Sequence, residues 1–223
     1  MSRLLEAEGL VLDRTPAGEN HLRLTLLTPA PGLLKAMLRD SPAKSARSPA
    51  STRPDLFDHA AVVLEAPAPG AAHGAVYFVR EYKVLRRHAG LGRRYPALTA
   101  ASSLASLVAR HAMHFETCAP VFSLCRQAFG ALEDGAPPDA VHLKALFLLA
   151  TTEGYAAREQ WLALLAPEDR ELVLTILRKP AADAARLPPA DAARLPRLRQ
   201  ACERWLAEHT DLSSDEPRSK LRK

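Results

Sequence analysis

The sequence predicts an α+β protein in which a small β-barrel is followed by a helical domain. Short stretches of alternating apolar and polar residues, separated by turns that contain Pro and Gly, fill roughly the first 80 residues, as is typical of strands. From Pro96 onward the apolar residues recur at spacings of three and four, which is the period of one helix face. With 223 residues and 48% hydrophobic residues, the chain is long enough to bury a proper core.

The strands are predicted from their alternation and from the turns between them. Leu22, Leu24 and Leu26 alternate with polar residues, which indicates a half-buried strand. The turns at 15–18 and 28–32 contain Pro and Gly, residues that suit chain reversal. Five short strands at this spacing favour a small closed barrel. The predicted strands are 4–13, 20–28, 33–39, 56–65 and 74–85.

The helices are predicted from the three- and four-residue spacing and from prolines near their starts. Asp139 is expected to cap one of them. The stretch 180–196 contains DAARLP twice and is interpreted as a Pro-rich linker within a helical domain that spans 81–212. The barrel domain is expected to span 1–80, and the basic tail 213–223 to be disordered. The predicted helices are 96–116, 120–132, 137–155, 167–179 and 197–212.

Positive charge is concentrated in three segments, 32–53, 80–94 and the last six residues, 218–223. The formal net charge is +5 and the pI about 9.3, which weakly favours acidic partners such as nucleic acid. Five bases and one acid lie in 32–53, and six bases and one acid lie in 81–110. In the segment 80–94, Tyr82 and Tyr95 flank the basic residues, an arrangement that suits single-stranded nucleic acid. The alternative is a solvated face that only promotes solubility.

Sequence motifs of catalysis are missing. The GLGRRY stretch at 90–95 lacks the third glycine of a dinucleotide site, and neither a phosphate loop nor a nucleophile elbow occurs in the sequence. The three cysteines form no even framework, and no signal peptide or long apolar run is present. We therefore expect a non-enzymatic, reduced, cytoplasmic protein without a membrane segment or cofactor.

One cluster has residue types that can bind metal. His111, His114 and Cys118 fall on one face of a predicted helix and are ligand types that zinc accepts. A structural zinc site needs a fourth ligand, and Cys125 lies beyond the helix-breaking Pro120. We therefore expect these side chains to belong to the core or to a partly exposed surface, and we expect no metal.

The order of several motifs resembles the RecO family of recombination mediators in DNA repair. The stretch 8–40 has the family's layout of Gly-x-Val-Leu, a Gly-Glu turn, a strand ending Leu-Leu-Thr and a following Gly-Leu-Leu. A basic loop with Lys-Ser follows it. Two later segments are similar to helical segments of the family, FETCAPVFSLCRQAFGAL (115–132) and LKALFLLATTEGY (143–155). The last residues, RSKLRK (218–223), resemble the family more weakly.

This resemblance implies an N-terminal oligonucleotide/oligosaccharide-binding (OB) barrel, a helical C-terminal domain and a role beside the nucleoid. It implies binding of single- and double-stranded DNA, strand annealing and recombinase loading. The implied partners are a RecR-like protein and the acidic, apolar C-terminal tail of single-strand-binding protein. Many family members carry a four-cysteine zinc site, but residues 156–201 contain no cysteine, and zinc is not carried over.

We predict that the basic residues of 32–53 and those of 80–94 form one DNA surface. The reason is that segment 80–94 leaves the fifth strand and can return to the barrel near the loop 40–54. A groove for the acidic tail is predicted at Arg126, Lys144 and Arg158. The alternative is a protein-interaction adaptor of the same fold that has lost DNA binding, which the scarcity of aromatic residues favours. The predicted DNA-binding residues are Lys35, Arg39, Lys44, Arg47, Arg53, Arg86, Arg87, Arg93 and Arg94.

Overall fold

The computed structural model describes residues 3–39, 53–67, 76–115 and 117–212. The chain divides into two compact units. The described residues of Met1–His88 and Ala112–Arg126 form the first, and those of Ala89–His111 and Gln127–Lys223 form the second. The strand-rich unit therefore extends past residue 80 and includes a segment from the helical region. Among the described residues, no helix combines the length and apolar character that crossing a membrane requires.

The first unit is built on five strands that pair in the order β1-β2-β3-β5-β4. Strand β1 also pairs with β4, so the ring of strands closes into a barrel. All neighbours are antiparallel except β3 and β5, which pair in parallel. The predicted order of strands followed by helices is confirmed. The strands are β1 (Leu4–Pro16), β2 (His21–Leu27), β3 (Leu33–Arg39), β4 (His59–Glu65) and β5 (Tyr77–Arg86).

Alternation along each strand separates a buried face from an outer face. Leu22, Leu24 and Leu26 of β2 are almost fully buried and share one cluster with Val62 and Leu64 of β4. Because successive side chains of a strand point to opposite faces, the polar residues between them must lie on the outer surface of the barrel. The leucine period that predicted β2 therefore also fixes which of its residues are available to a ligand.

The second unit is built around α3, a helix whose buried residues surround its axis. It packs against α1 and α7. Asp139 does not cap α3: Pro137 holds the cap position, and Asp139 instead accepts a hydrogen bond from Arg199 of α7 at 2.7 Å. The α-helices are α1 (Tyr95–His111), α2 (Ala119–Glu133), α3 (Pro138–Thr152), α4 (Trp161–Leu164), α5 (Pro167–Arg178), α6 (Pro189–Ala192) and α7 (Leu195–His209).

The Pro-rich stretch 180–196 is more structured than the predicted linker. It forms a 3₁₀ segment at Ala181–Arg186, then helix α6, and then enters α7. Ala184 is buried, and Arg194 donates through Nε to the Asp169 carboxylate at 2.9 Å. The prolines stand at the starts of these short helices, where a missing N–H costs nothing. The tail 213–223 lies outside the described residues.

A buried histidine in the second unit gives a pH-dependent prediction. His142 of α3 is 5% exposed, and its Nε2 lies 4.0 Å from Glu203 Oε1. Burial, reinforced by the positive charge of Arg199 and opposed by Asp139, lowers the pKa of His142 to about 4. The unfolded chain therefore takes up a proton near its ordinary pKa of about 6.5, whereas the folded protein does not.

As the pH falls from about 6.5 to about 4, we expect His142 to remove about 3 kcal/mol of the free energy of unfolding. Urea unfolding followed by circular dichroism at several pH values measures this loss. The His142→Leu variant should lack this part of the pH dependence, while the acid response of the neighbouring carboxylates stays. Parallel pH curves for the variant and the wild type would contradict the assignment.

Candidate nucleic-acid interface

The outer face of β2 and β3 carries exposed cations and no carboxylate. Arg23 of β2 and Lys35 and Arg39 of β3 are exposed. Residues that lie opposite each other in paired strands share a face, and His21 lies opposite Arg39. Neither His21–Leu27 nor Leu33–Arg39 contains an acidic residue. We call this surface, formed by His21, Arg23, Lys35, Met37 and Arg39, the basic face.

Arg23 keeps most of its hydrogen-bonding capacity on this face. Its Nε donates to Thr15 Oγ1 of β1 at 3.2 Å. The guanidinium has five N–H donors in a fixed fork, so this bond holds the side chain in place and leaves donors for an anion. Arg23 was not among the predicted DNA-binding residues, although its alternation with buried leucines was a sufficient signal of its exposure.

The outer surface of β1 and β4 has the opposite character. Glu6 and Glu8 of β1 are exposed there. Glu8 contacts His59 at 3.0 Å, and Glu65 of β4 forms an ion pair with Arg80 of β5. The charge of the barrel is therefore divided between two outer surfaces. A polyanion would be attracted to β2 and β3 and repelled from β1.

Arg87, predicted to bind DNA, forms an ion pair with the buried carboxylate of Asp58. The Asp58 side chain is fully buried and accepts two bonds from Arg87, from Nε at 3.1 Å and from Nη2 at 3.0 Å. Tyr82 Oη and the backbone N–H of Asp55 also donate to Asp58. The hydrogen bond to Asp58 raises the pKa of Arg87. Burial, with the charge of Asp58, raises the pKa of Tyr82 well above its ordinary value.

The same arginine brings together two of the predicted segments. Arg87 Nη2 donates to the backbone carbonyl of Arg53 at 2.9 Å, and Arg14 Nη1 donates to that of Pro54 at 2.9 Å. The residues that precede β4 are therefore held beside the end of β5. Lys44 and Arg47, predicted to lie in the loop before them, are outside the described residues.

The remaining predicted DNA-binding residues are spread over both units. Arg86 is exposed at the end of β5, whereas Arg93 and Arg94 belong to the second unit. Arg94 donates to the carbonyl of Leu132 and, at 3.4 Å, to that of Glu133. These carbonyls lie at the C-terminal end of α2, where Leu132 also accepts from the backbone N–H of Gly135 at 3.3 Å, so Arg94 adds a side-chain donor to this helix end.

The residues predicted to bind an acidic tail have separate local roles. Arg126 lies over the Phe122 ring at 5.9 Å within the first unit. Lys144, in the second unit, donates to the carbonyls of Ile176 and Lys179 at 3.2 and 2.6 Å, and burial lowers its pKa. Arg158 is exposed between α3 and α4. Arg126 belongs to the first unit and Lys144 and Arg158 to the second, and the groove stays a prediction.

Among the described residues, the cysteines and histidines do not form a metal centre. Within the residues that the structure describes, no three side chains of the metal-binding types converge. Cys118 is buried, and the His114 side chain lies outside the described part. Burial raises the pKa of Cys125 and of Cys202 to about 12, so both are thiols at neutral pH and poor metal ligands in that form.

Comparisons with known proteins give no independent assignment. No model of a known protein family matches the chain, and no curated protein is significantly similar to it. The resemblance to the RecO family therefore stays a prediction from the order of the motifs.

Proposed function

We propose that this protein binds single-stranded DNA on the basic face and acts as a non-enzymatic mediator of recombinational repair. The observation that carries the proposal is an outer barrel face with three exposed cations and no acid on either strand. Binding by phosphate neutralisation needs such a face and needs no catalytic group.

The topology supports an OB-type barrel in this proposal. A five-stranded barrel in which β1 pairs with β4 and β3 pairs with β5 is consistent with the Greek-key connectivity of the OB fold. That fold binds oligonucleotides on the face of its second and third strands. The basic face occupies this position, so fold and charge favour the same surface.

The proposed mechanism is electrostatic capture of a strand. Each phosphate that meets Lys or Arg releases condensed counterions, which drives binding without reading the sequence. Binding of double-stranded DNA, annealing, recombinase loading with a RecR-type partner and contact with the tail of single-strand-binding protein extend the proposal. These extensions are supported by the motif resemblance alone, and a location beside the nucleoid would follow from them.

The test is a titration of fluorescently labelled oligothymidine by anisotropy at several salt concentrations. Three phosphate contacts on the basic face should give a slope of log affinity against log salt of about −2 or steeper, at about −0.7 per contact. Undetectable binding, or binding that is independent of salt, would overturn the proposal. The protein-interaction adaptor would then be the better interpretation.

A further inference from the structure

We propose that Phe78 of β5 is a base-stacking platform beside the basic face and gives this surface a preference for unpaired strands. The inference rests on the proposed function, because it assumes that a strand lies on β2 and β3. It adds a residue and a source of strand preference that the cations do not supply, since phosphates are present on single and double strands alike.

Phe78 is the aromatic side chain that the barrel strands leave open to solvent. It is 52% exposed, whereas Tyr77 and Tyr82, the other aromatics in the described strands, are partly buried. Tyr82 is also bonded to Asp58 through its hydroxyl. An exposed phenyl ring lowers the solubility of a protein. It can also stack on an unpaired base, as aromatic side chains do in sites that bind single strands.

The closure of the barrel places Phe78 next to the basic face. Met37 of β3 pairs with Phe78 of β5 in the parallel register, and Arg23 of β2 lies opposite Met37 on its other side. Paired residues share a face, and adjacent strands lie about 4.8 Å apart. Arg23, Met37 and Phe78 therefore form one row across three strands, within reach of the phosphate and the base of one bound strand segment.

The carboxylate that lies opposite Phe78 in the strand pairing is compensated. Glu65 of β4 lies opposite Phe78, and a lone carboxylate there would repel phosphate. Arg80 of β5 forms an ion pair with Glu65 and is itself 61% exposed in its side chain. The charge of Glu65 beside Phe78 is therefore offset, with cations on the side of β2 and β3.

The test compares Phe78→Ala with the wild type on three labelled probes. These are oligothymidine, an abasic strand of the same length and a blunt DNA duplex. Loss of one stacked base should weaken oligothymidine binding roughly 5- to 150-fold, and it should leave the abasic strand and the duplex within about twofold. Phe78→Leu should lose affinity like Phe78→Ala, because it keeps the apolar volume without the ring, whereas Phe78→Trp should retain affinity.

Leu85→Ala is the matched control, because Leu85 is an exposed apolar residue on the same strand, at 44% exposure. It should bind all three probes like the wild type. Thermal unfolding of each variant checks that the fold is intact. If Phe78→Ala binds oligothymidine as tightly as the wild type, or weakens all three probes equally, the stacking role is overturned while the proposed function stands. If the wild type binds none of the probes, the proposed function fails and the inference with it.

Discussion

Replacing Arg23, Lys35 and Arg39 together with alanine is expected to weaken binding of single-stranded DNA on the order of a hundredfold at low salt. Three lost phosphate contacts should flatten the slope of log affinity against log salt by about 2. The three side chains are exposed, and exposed charges contribute little to stability, so the variant should fold like the wild type. Anisotropy in a salt series measures the slope, and thermal unfolding checks the fold.

The matched control removes the same charge elsewhere. Lys83, Arg178 and Arg204 are exposed bases that belong to neither β2 nor β3, and their triple alanine variant has the same net charge as the test variant. It should retain the wild-type slope within about half a unit. Equal weakening in both triple variants would mean that net charge alone attracts DNA, and the basic face would no longer be the site.

Arg87→Ala is expected to destabilise the barrel by about 3–5 kcal/mol in the free energy of unfolding. Asp58 has no exposed side-chain surface, so the variant would leave a buried carboxylate without its cation. The bond from Arg87 to the Arg53 carbonyl would be lost as well. Lys83→Ala, on the same strand but exposed, should change stability by less than about 0.5 kcal/mol. Urea unfolding measures both variants.

A double-mutant cycle separates the ion pair from other effects of Arg87. If the carboxylate is the cause, adding Asp58→Asn to Arg87→Ala should recover part of the lost stability, because no charge is then buried alone. Additive losses from the two substitutions would show that the groups are not coupled. The affinity of the folded Arg87→Ala variant for single-stranded DNA gives a second readout. If Arg87 maintains the fold and does not contact phosphate, this variant should keep the wild-type slope of log affinity against log salt.

Periodicity was sufficient for the strands and the longer helices because it reports which residues of one segment face the same side. The leucines of β2 recur at every second residue and are buried, as predicted. The helix expected at 167–179 is observed as α5, Pro167–Arg178. Both patterns are local, so neither required knowledge of the partner that covers the apolar face.

The predicted DNA-binding residues show which information a local sequence pattern does not contain. A count of bases treats Arg86, Arg87 and Arg94 alike, but Asp58 holds Arg87, and the end of α2 holds Arg94. These acceptors lie 29 and 39 residues from their donors, so no window along the chain reveals them. A count of bases along the chain therefore does not separate cations that bond to acceptors within the fold from cations that face solvent.

The sequence by itself determined the order of strands and helices and the cation-bearing, acid-free outer faces of β2 and β3, because the period of two is a local property of the backbone. Only the tertiary structure decided that β3 pairs with β5 and places Phe78 beside Met37 and Arg23. The physical reason is closure of the barrel: each strand needs hydrogen-bond partners on both edges. The partner of β3 therefore comes from a segment about 40 residues away.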